Sequence, residues 1–224
     1  MVYLEKSQPA PASLAVEKQK TSGDYKKEDV LERLKNDFKN KCYLCELKAP
    51  TSINVEHFEP HKGDMDKKFD WNNLFLSCAH CNNTKLAQPK YDNILNCTNK
   101  EDDVENRLKY IFISFPIERI DIVALDDSAK TQNTKELLLA VYNGATPLKK
   151  LESANLRTHI LNEIGDFQQL LLTYFNDTVS VEEKRLLLSK ICDHISRESH
   201  FTAFKRWIIK EDPKLNAEFG EYID

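Results

Sequence analysis

Two cysteine pairs constrain this chain most: Cys42-x-x-Cys45 and Cys78-x-x-Cys81, with the 32 residues 46–77 between them. A two-residue spacer lets both sulfurs of one turn reach the same ion. Two such turns can close a tetrahedral four-thiolate shell of the kind that holds structural Zn²⁺. The gap between the pairs is longer than in a short zinc ribbon, so a folded segment must lie between the knuckles. A closed shell staples a small unit and performs no chemistry itself. Cys97 and Cys192 lack such spacing and are read as packed thiols.

The remaining chain calls for ordinary packing. Residues 1–24 contain Ser7, Pro9, Pro11, Ser13 and Gly23 and read as an extended arm, not a helix. In residues 25–39, Val30, Leu31, Leu34 and Phe38 form one apolar stripe, which predicts a helix capped by Asp24. Residues 110–115 and 120–123, separated around Pro116, predict a small antiparallel strand pair. Helices are expected after that: 134–142 ended by Gly144, then 148–175, then 181–195 opened by a Ser180/Glu183 capping box, then 201–209. The expected fold class is α+β and mainly helical. Its expected parts are the arm at 1–24, a cysteine-knuckle module at 25–100 and a mainly helical domain at 101–224.

The segment between and just after the knuckles carries the chemistry. Residues 54–85 read NVEHFEPHKGDMDKKFDWNNLFLSCAHCNNTK. Glu56, His57, Pro60, Asn73, Leu74, Asn82 and Lys85, in this order around the two cysteine pairs, resemble the HNH nucleases. The resemblance implies a zinc-bound ββα-metal module that hydrolyses phosphodiester bonds with a divalent ion. It places His57 as general base, a role suited to a side chain whose ordinary pKa is about 6.5. Asn73 braces the loop that carries the histidine, with Asn72 as the neighbouring alternative. Glu56 and Asn82 hold Mg²⁺ or Mn²⁺, hard ions that prefer oxygen and keep several waters. Many HNH proteins have Asp where this chain has Glu56. A solvent-facing strand carboxylate is the alternative role for Glu56, and a helix cap is the alternative for Asn82. Lys85 meets a substrate phosphate, and His61 is a further ligand or phosphate contact. His80, Lys62, Lys67 and Lys68 are other candidate substrate contacts. The implied geometry is a hairpin with His57 on or near its first strand, Asn73 in the connection, and a helix starting around Asn82.

Residues 1 to about 100 also resemble the PtuB family, the HNH effector subunits of Septu-type and retron-associated anti-phage systems. The residues that carry this likeness are Lys6, Pro9, Pro11, Ser13 and Leu14, then KCYLCE, EHFEP and DWNNLFLSCAHCNNTK. The resemblance implies an ABC-type, PtuA-like ATPase partner, a nucleic-acid target that is DNA or an RNA such as tRNA, and contact with retron RNA or DNA through the complex. The net charge of −4 argues against a stand-alone DNA binder, because phosphate neutralisation supplies most of such a protein's affinity. No basic recognition helix is visible. Lys184, Arg185, Lys190, Arg197, Lys205 and Arg206 alternate with Glu182, Glu183, Asp193 and Glu198. The chain shows no signal-peptide pattern and no apolar stretch near the roughly 18 residues of a membrane span, so a cytoplasmic location without membrane contact is expected. The competing function is a non-catalytic zinc module that binds nucleic acid or protein. Glu56, His57 and Asn82 separate the two readings, since a pure scaffold needs none of them.

Overall fold

The N-terminal arm departs from its expected form. The computed structural model describes residues 1–223, and Ala12–Lys18 form a helix, α1. Ala12, Leu14 and Ala15 are strong helix formers, and Pro11 stands at the cap, where its missing N–H costs nothing. The reading of residues 1–24 as extended and non-helical is therefore corrected. The arm is also packed: Met1, Val2, Leu4 and Leu14 are buried, and the Leu4 N–H donates to the Cys97 carbonyl at 2.8 Å.

Helix α2 (Glu28–Asp37) buries Val30 and Leu34, with Phe38 buried just beyond it. Asp24 does not cap it. Helix α2 starts after Lys27, and Asp24 instead accepts from the Lys26 N–H at 2.9 Å. Strand β1 (Ile53–His57) pairs antiparallel with β2 (Leu74–Cys78), in register from Ile53↔Cys78 to His57↔Leu74. The connection holds a single-turn helix, α3 (Met65–Lys68), and a tight turn at Trp71–Asn73. Helix α4 (Ala79–Lys85) follows β2 without a linker, three residues before the start expected near Asn82. Cys78 makes that switch possible, since its sulfur caps the helix by accepting from the Cys81 N–H. The result is a ββα unit with one cysteine pair at the strand–helix junction.

After the short helix α5 (Val104–Arg107), β3 (Leu108–Ile113) and β4 (Arg119–Ala124) form the second antiparallel pair. Five helices complete the chain: α6 (Ala129–Asn143), α7 (Pro147–Tyr174), α8 (Val181–Ile195), α9 (Thr202–Glu211) and α10 (Pro213–Phe219). Helix α10 has no counterpart among the expected elements. Asp212 caps it, and Pro213 occupies its first turn. The capping box of α8 is present. No helix among the described residues is long and apolar enough to cross a membrane.

Packing divides the chain differently from the expected boundary at residue 100. One apolar cluster joins Met1, Val55 and Phe75 to Leu108, Ile122, Leu137, Tyr142 and Phe204. The hairpin, α6, the first half of α7 and the start of α9 thus share a core. A second cluster of Phe167, Leu171, Tyr174, Ile191, Ile195, Ile209 and Phe219 holds the distal helices. Ile208 packs against both clusters.

Candidate active site and metal centre

The four knuckle cysteines converge. Their sulfurs all lie within 4.8 Å of one another, with Cys45 Sγ 3.9 Å from Cys78 Sγ. Tetrahedral zinc–thiolate bonds of about 2.3 Å put sulfurs roughly 3.8 Å apart, so the spacing suits that ion. The first pair sits in a tight turn. The Glu46 N–H donates to the Cys42 carbonyl at 2.9 Å, the Cys42 N–H donates to the Leu47 carbonyl at 3.0 Å, and Glu46 adopts a left-handed φ of 59°. The second pair straddles the start of α4. All four thiols are buried, and burial together with the neighbouring sulfurs pushes the Cys81 thiol well up. Thiolates in this enclosed space need a cation to balance them, and the soft donor set fits zinc. Cys97 lies apart, with its thiol raised to about 12 by burial, as an inert core residue.

His57 ends β1, half-buried. Its Nε2 lies 3.0 Å from the Lys68 carbonyl oxygen. A carbonyl only accepts, so Nε2 carries the proton and the neutral ring keeps its lone pair on Nδ1. Two further rings enclose it. Tyr25 meets it edge-on at a centroid distance of 4.5 Å, and His61 lies at 4.7 Å. Burial lowers the His57 pKa, and the nearby charges of His61, Lys26 and Lys68 act in the same direction against the Lys68 carbonyl bond. The ring is therefore neutral, the form a base requires, at neutral pH.

Asn73 holds the loop after His57. Its Oδ1 accepts from the Glu59 N–H at 2.7 Å, and its Nδ2 donates to the carbonyls of Glu59 at 2.9 Å and Lys67 at 3.1 Å. Both ends of the loop are thus tied to one amide, next to the carbonyl that orients His57. His61 sits within this loop. Its Nδ1 accepts from the Gly63 N–H at 3.2 Å, which leaves Nε2–H as its outward donor.

Glu56 and His57 are neighbours on β1 and leave the strand toward opposite sides. Glu56 is buried, not solvent-facing. Its Oε1 receives the Lys85 ammonium at 2.9 Å and the Tyr43 hydroxyl at 3.0 Å. Burial raises its pKa, with Lys85 opposing. The expected contact of Lys85 with substrate is corrected here. The side chain is 2 % exposed and donates to the Phe58 carbonyl at 2.8 Å, so it ties α4 to the hairpin from inside. The two candidate oxygen donors for a cation lie on β1 and α4. Glu56 Oε2 is buried without a partner. Asn82 is half-buried three residues before Lys85 and so on the same side of α4. An unpartnered carboxylate oxygen and an amide fit a hard divalent cation.

The other candidates are placed elsewhere. His80 is a strut: Nδ1 lies 2.6 Å from Glu152 and Nε2 2.8 Å from the Val141 carbonyl, which joins α4 to α6 and α7. Lys67 pairs with Glu59 at 3.0 Å. Lys68 donates to the Gly23 carbonyl at 3.1 Å. Lys62 is exposed beside His61. Tyr25, Tyr43 and the Lys68 carbonyl escape sequence reasoning. Tyr25 precedes the motif by some thirty residues, and a backbone carbonyl carries no side-chain signature.

Residues 42–88 match the HNH endonuclease family. The match spans both knuckles, the β1–β2 hairpin and α4, about a fifth of the chain. A search of curated proteins found no match to the chain.

Proposed function

We propose that this protein is a metal-dependent endonuclease whose general base is Nδ1 of His57. The observation that carries the reading is the bond from His57 Nε2 to the Lys68 carbonyl, which leaves Nδ1 of a half-buried ring as the basic nitrogen. In the proposed reaction a water attacks the scissile phosphorus and its proton passes to Nδ1. The P–O bond to the leaving 3′ oxygen then breaks. Asn73 keeps the His57 loop in place, and His61 Nε2–H donates to a phosphate oxygen. Glu56 Oε2 and Asn82 Oδ1 are the residues that would hold Mg²⁺ or Mn²⁺, and Cys42, Cys45, Cys78 and Cys81 would hold Zn²⁺. When bound, the divalent ion supplies a Lewis acid for the charge that develops on phosphate and leaving oxygen.

The finer reading is an effector subunit of an anti-phage complex with an ABC-type ATPase partner. The likeness of residues 1 to about 100 to that family supports it, as does an acidic chain that leaves part of the nucleic-acid grip to another subunit.

The test compares wild type with His57→Ala on plasmid DNA, single-stranded DNA and tRNA, in Mg²⁺ or Mn²⁺ and in EDTA, with and without the ATPase. Loss of the base should slow cleavage by about 10²–10⁴-fold. Equal cleavage by both proteins refutes the assignment of His57. Absence of cleavage by wild type under every condition favours a non-catalytic zinc module that binds nucleic acid or protein.

A further inference from the structure

Lys6 belongs to the N-terminal arm, outside the residues that match the HNH family, yet its side chain ends against the catalytic hairpin. Its ammonium donates to the Trp71 carbonyl and, at 2.6 Å, to the Leu74 carbonyl. It lies 3.8 Å from the Trp71 ring centroid and 5.3 Å from that of Phe75. Among the described residues no carboxylate forms an ion pair with it. Burial draws its pKa down to about 7, against the pull of Asp37 and Asp70. An ammonium withdrawn from water and served by carbonyls and ring faces is costly, and an apolar side chain would anchor an arm more cheaply.

The two carbonyls show what this cost supports. Trp71 and Leu74 flank Asn73, so Lys6 closes the turn that presents the Asn73 amide. Asn73 grips Glu59 and Lys67 at both ends of the intervening loop. The next residue after Lys67 supplies the carbonyl that fixes the His57 ring. The arm reinforces the same turn twice more: the Trp71 indole donates to the Ser7 carbonyl at 2.9 Å, and Gln8 Nε2 donates to Asn72 Oδ1 at 3.2 Å.

We propose that Lys6 is a positioning residue for His57, acting through the Trp71–Leu74 turn and Asn73, and that the arm is therefore part of the catalytic apparatus. The catalytic consequence rests on the nuclease reading, whereas the structural linkage can be measured without any cleavage.

The test uses full-length, zinc-loaded Lys6→Met and Lys6→Gln. The first readouts are the His57 ring ¹⁵N shifts and hydrogen exchange at the Glu59 amide. With Lys6→Met the zinc-to-protein ratio should stay unchanged, while the Glu59 amide exchanges about 10-fold faster or more. The His57 shifts should report a mixture of tautomers. Cleavage should lose about 10–100-fold in kcat, the scale of a small misplacement of a catalytic group, with KM within about 3-fold. Adding Lys6→Met to Asn73→Ala should cost little more than Asn73→Ala alone, because Lys6 acts through Asn73. Unchanged exchange and shifts overturn the proposal, and so do fully additive effects. If Lys6→Met fails to fold, Lys6→Gln decides, since its shorter, uncharged side chain cannot reach both carbonyls: faster Glu59 exchange supports the relay, and wild-type values overturn it. Should wild type cleave nothing, the nuclease reading fails, and the exchange data still decide the role of Lys6.

Discussion

Around the knuckles, two five-residue strands, the single-turn α3 and a seven-residue helix make up the framework. In the distal region the 28-residue α7 packs with α8, α9 and α10 around Phe167, Tyr174 and Phe219. The short elements do not stand alone: they share a core with α6, α7 and α9, and four thiols converge at one point beside it. The long helices need no ion. The difference teaches why the residues proposed for chemistry sit on the shorter elements. The short hairpin ends at a half-buried His57 held by one carbonyl and two rings, where the helical core around Phe167 buries its side chains. The two regions nevertheless meet, since His80 binds the knuckle helix to Val141 and Glu152.

If this contrast is right, zinc removal should have the largest and most localised effect. Structural zinc contributes about 10–16 kcal/mol of apparent binding free energy in small modules. Chelation, or Cys45→Ser, should abolish protected amides in the hairpin while most helical circular dichroism remains. Loss of all helical signal together with the zinc would break the comparison and make the chain one cooperative unit.

The reverse experiment strikes the distal core. Phe167 is fully buried, and Phe167→Ala should cost about 3–5 kcal/mol in stability by denaturant titration. Zinc content and hairpin exchange should be unaffected at low denaturant. Zinc loss in the native variant would show that the two clusters are coupled more tightly than their separation implies.

A smaller effect should appear with pH. Glu163 on α7 accepts from Lys205 of α9 at 2.5 Å and faces His194 of α8 at 3.4 Å. His194 and Lys205 hold its carboxyl down to about 2 against an ordinary 4.5. A depressed carboxylate contributes stability that is fully present above about 4.5 and is lost as pH falls toward about 2. Stability measured across that interval should therefore fall less steeply in Glu163→Gln than in wild type. Parallel curves would remove Glu163 from the distal region's acid response.

The legible parts of the fold were those with local signatures. The cysteine spacing required something folded between the knuckles, and a ββα unit is there. The Ser180/Glu183 box marked the start of α8. The strand pair at 108–124 and the helix through 147–174 followed from apolar patterns. The illegible parts depend on contacts distant in sequence. Nothing near Lys6 says that its ammonium will seek the carbonyls of Trp71 and Leu74. A Glu–His step on a strand does not reveal which side chain turns inward, so the pairing of Glu56 with Lys85 and Tyr43 had to be observed. Pro9 and Pro11 point to an extended arm, whereas Ala12, Leu14 and Ala15, which follow Pro11, carry a helix. The core shared by residues on either side of 100 has no local signature, because clusters form across the chain and not along it.

Helix α4 bears on how this protein can change over time. Within its seven residues and its cap stand Cys78 and Cys81 in the four-cysteine cluster, His80 facing α6 and α7, Asn82 as a candidate cation ligand, and Lys85 facing the hairpin. Each residue added or removed turns everything beyond it by about 100°. A single insertion would thus misdirect a zinc ligand, a strut and a candidate cation ligand together. Natural variants of this chain should accumulate length changes in the exposed 62–67 loop or beyond α9, and almost none between 78 and 85.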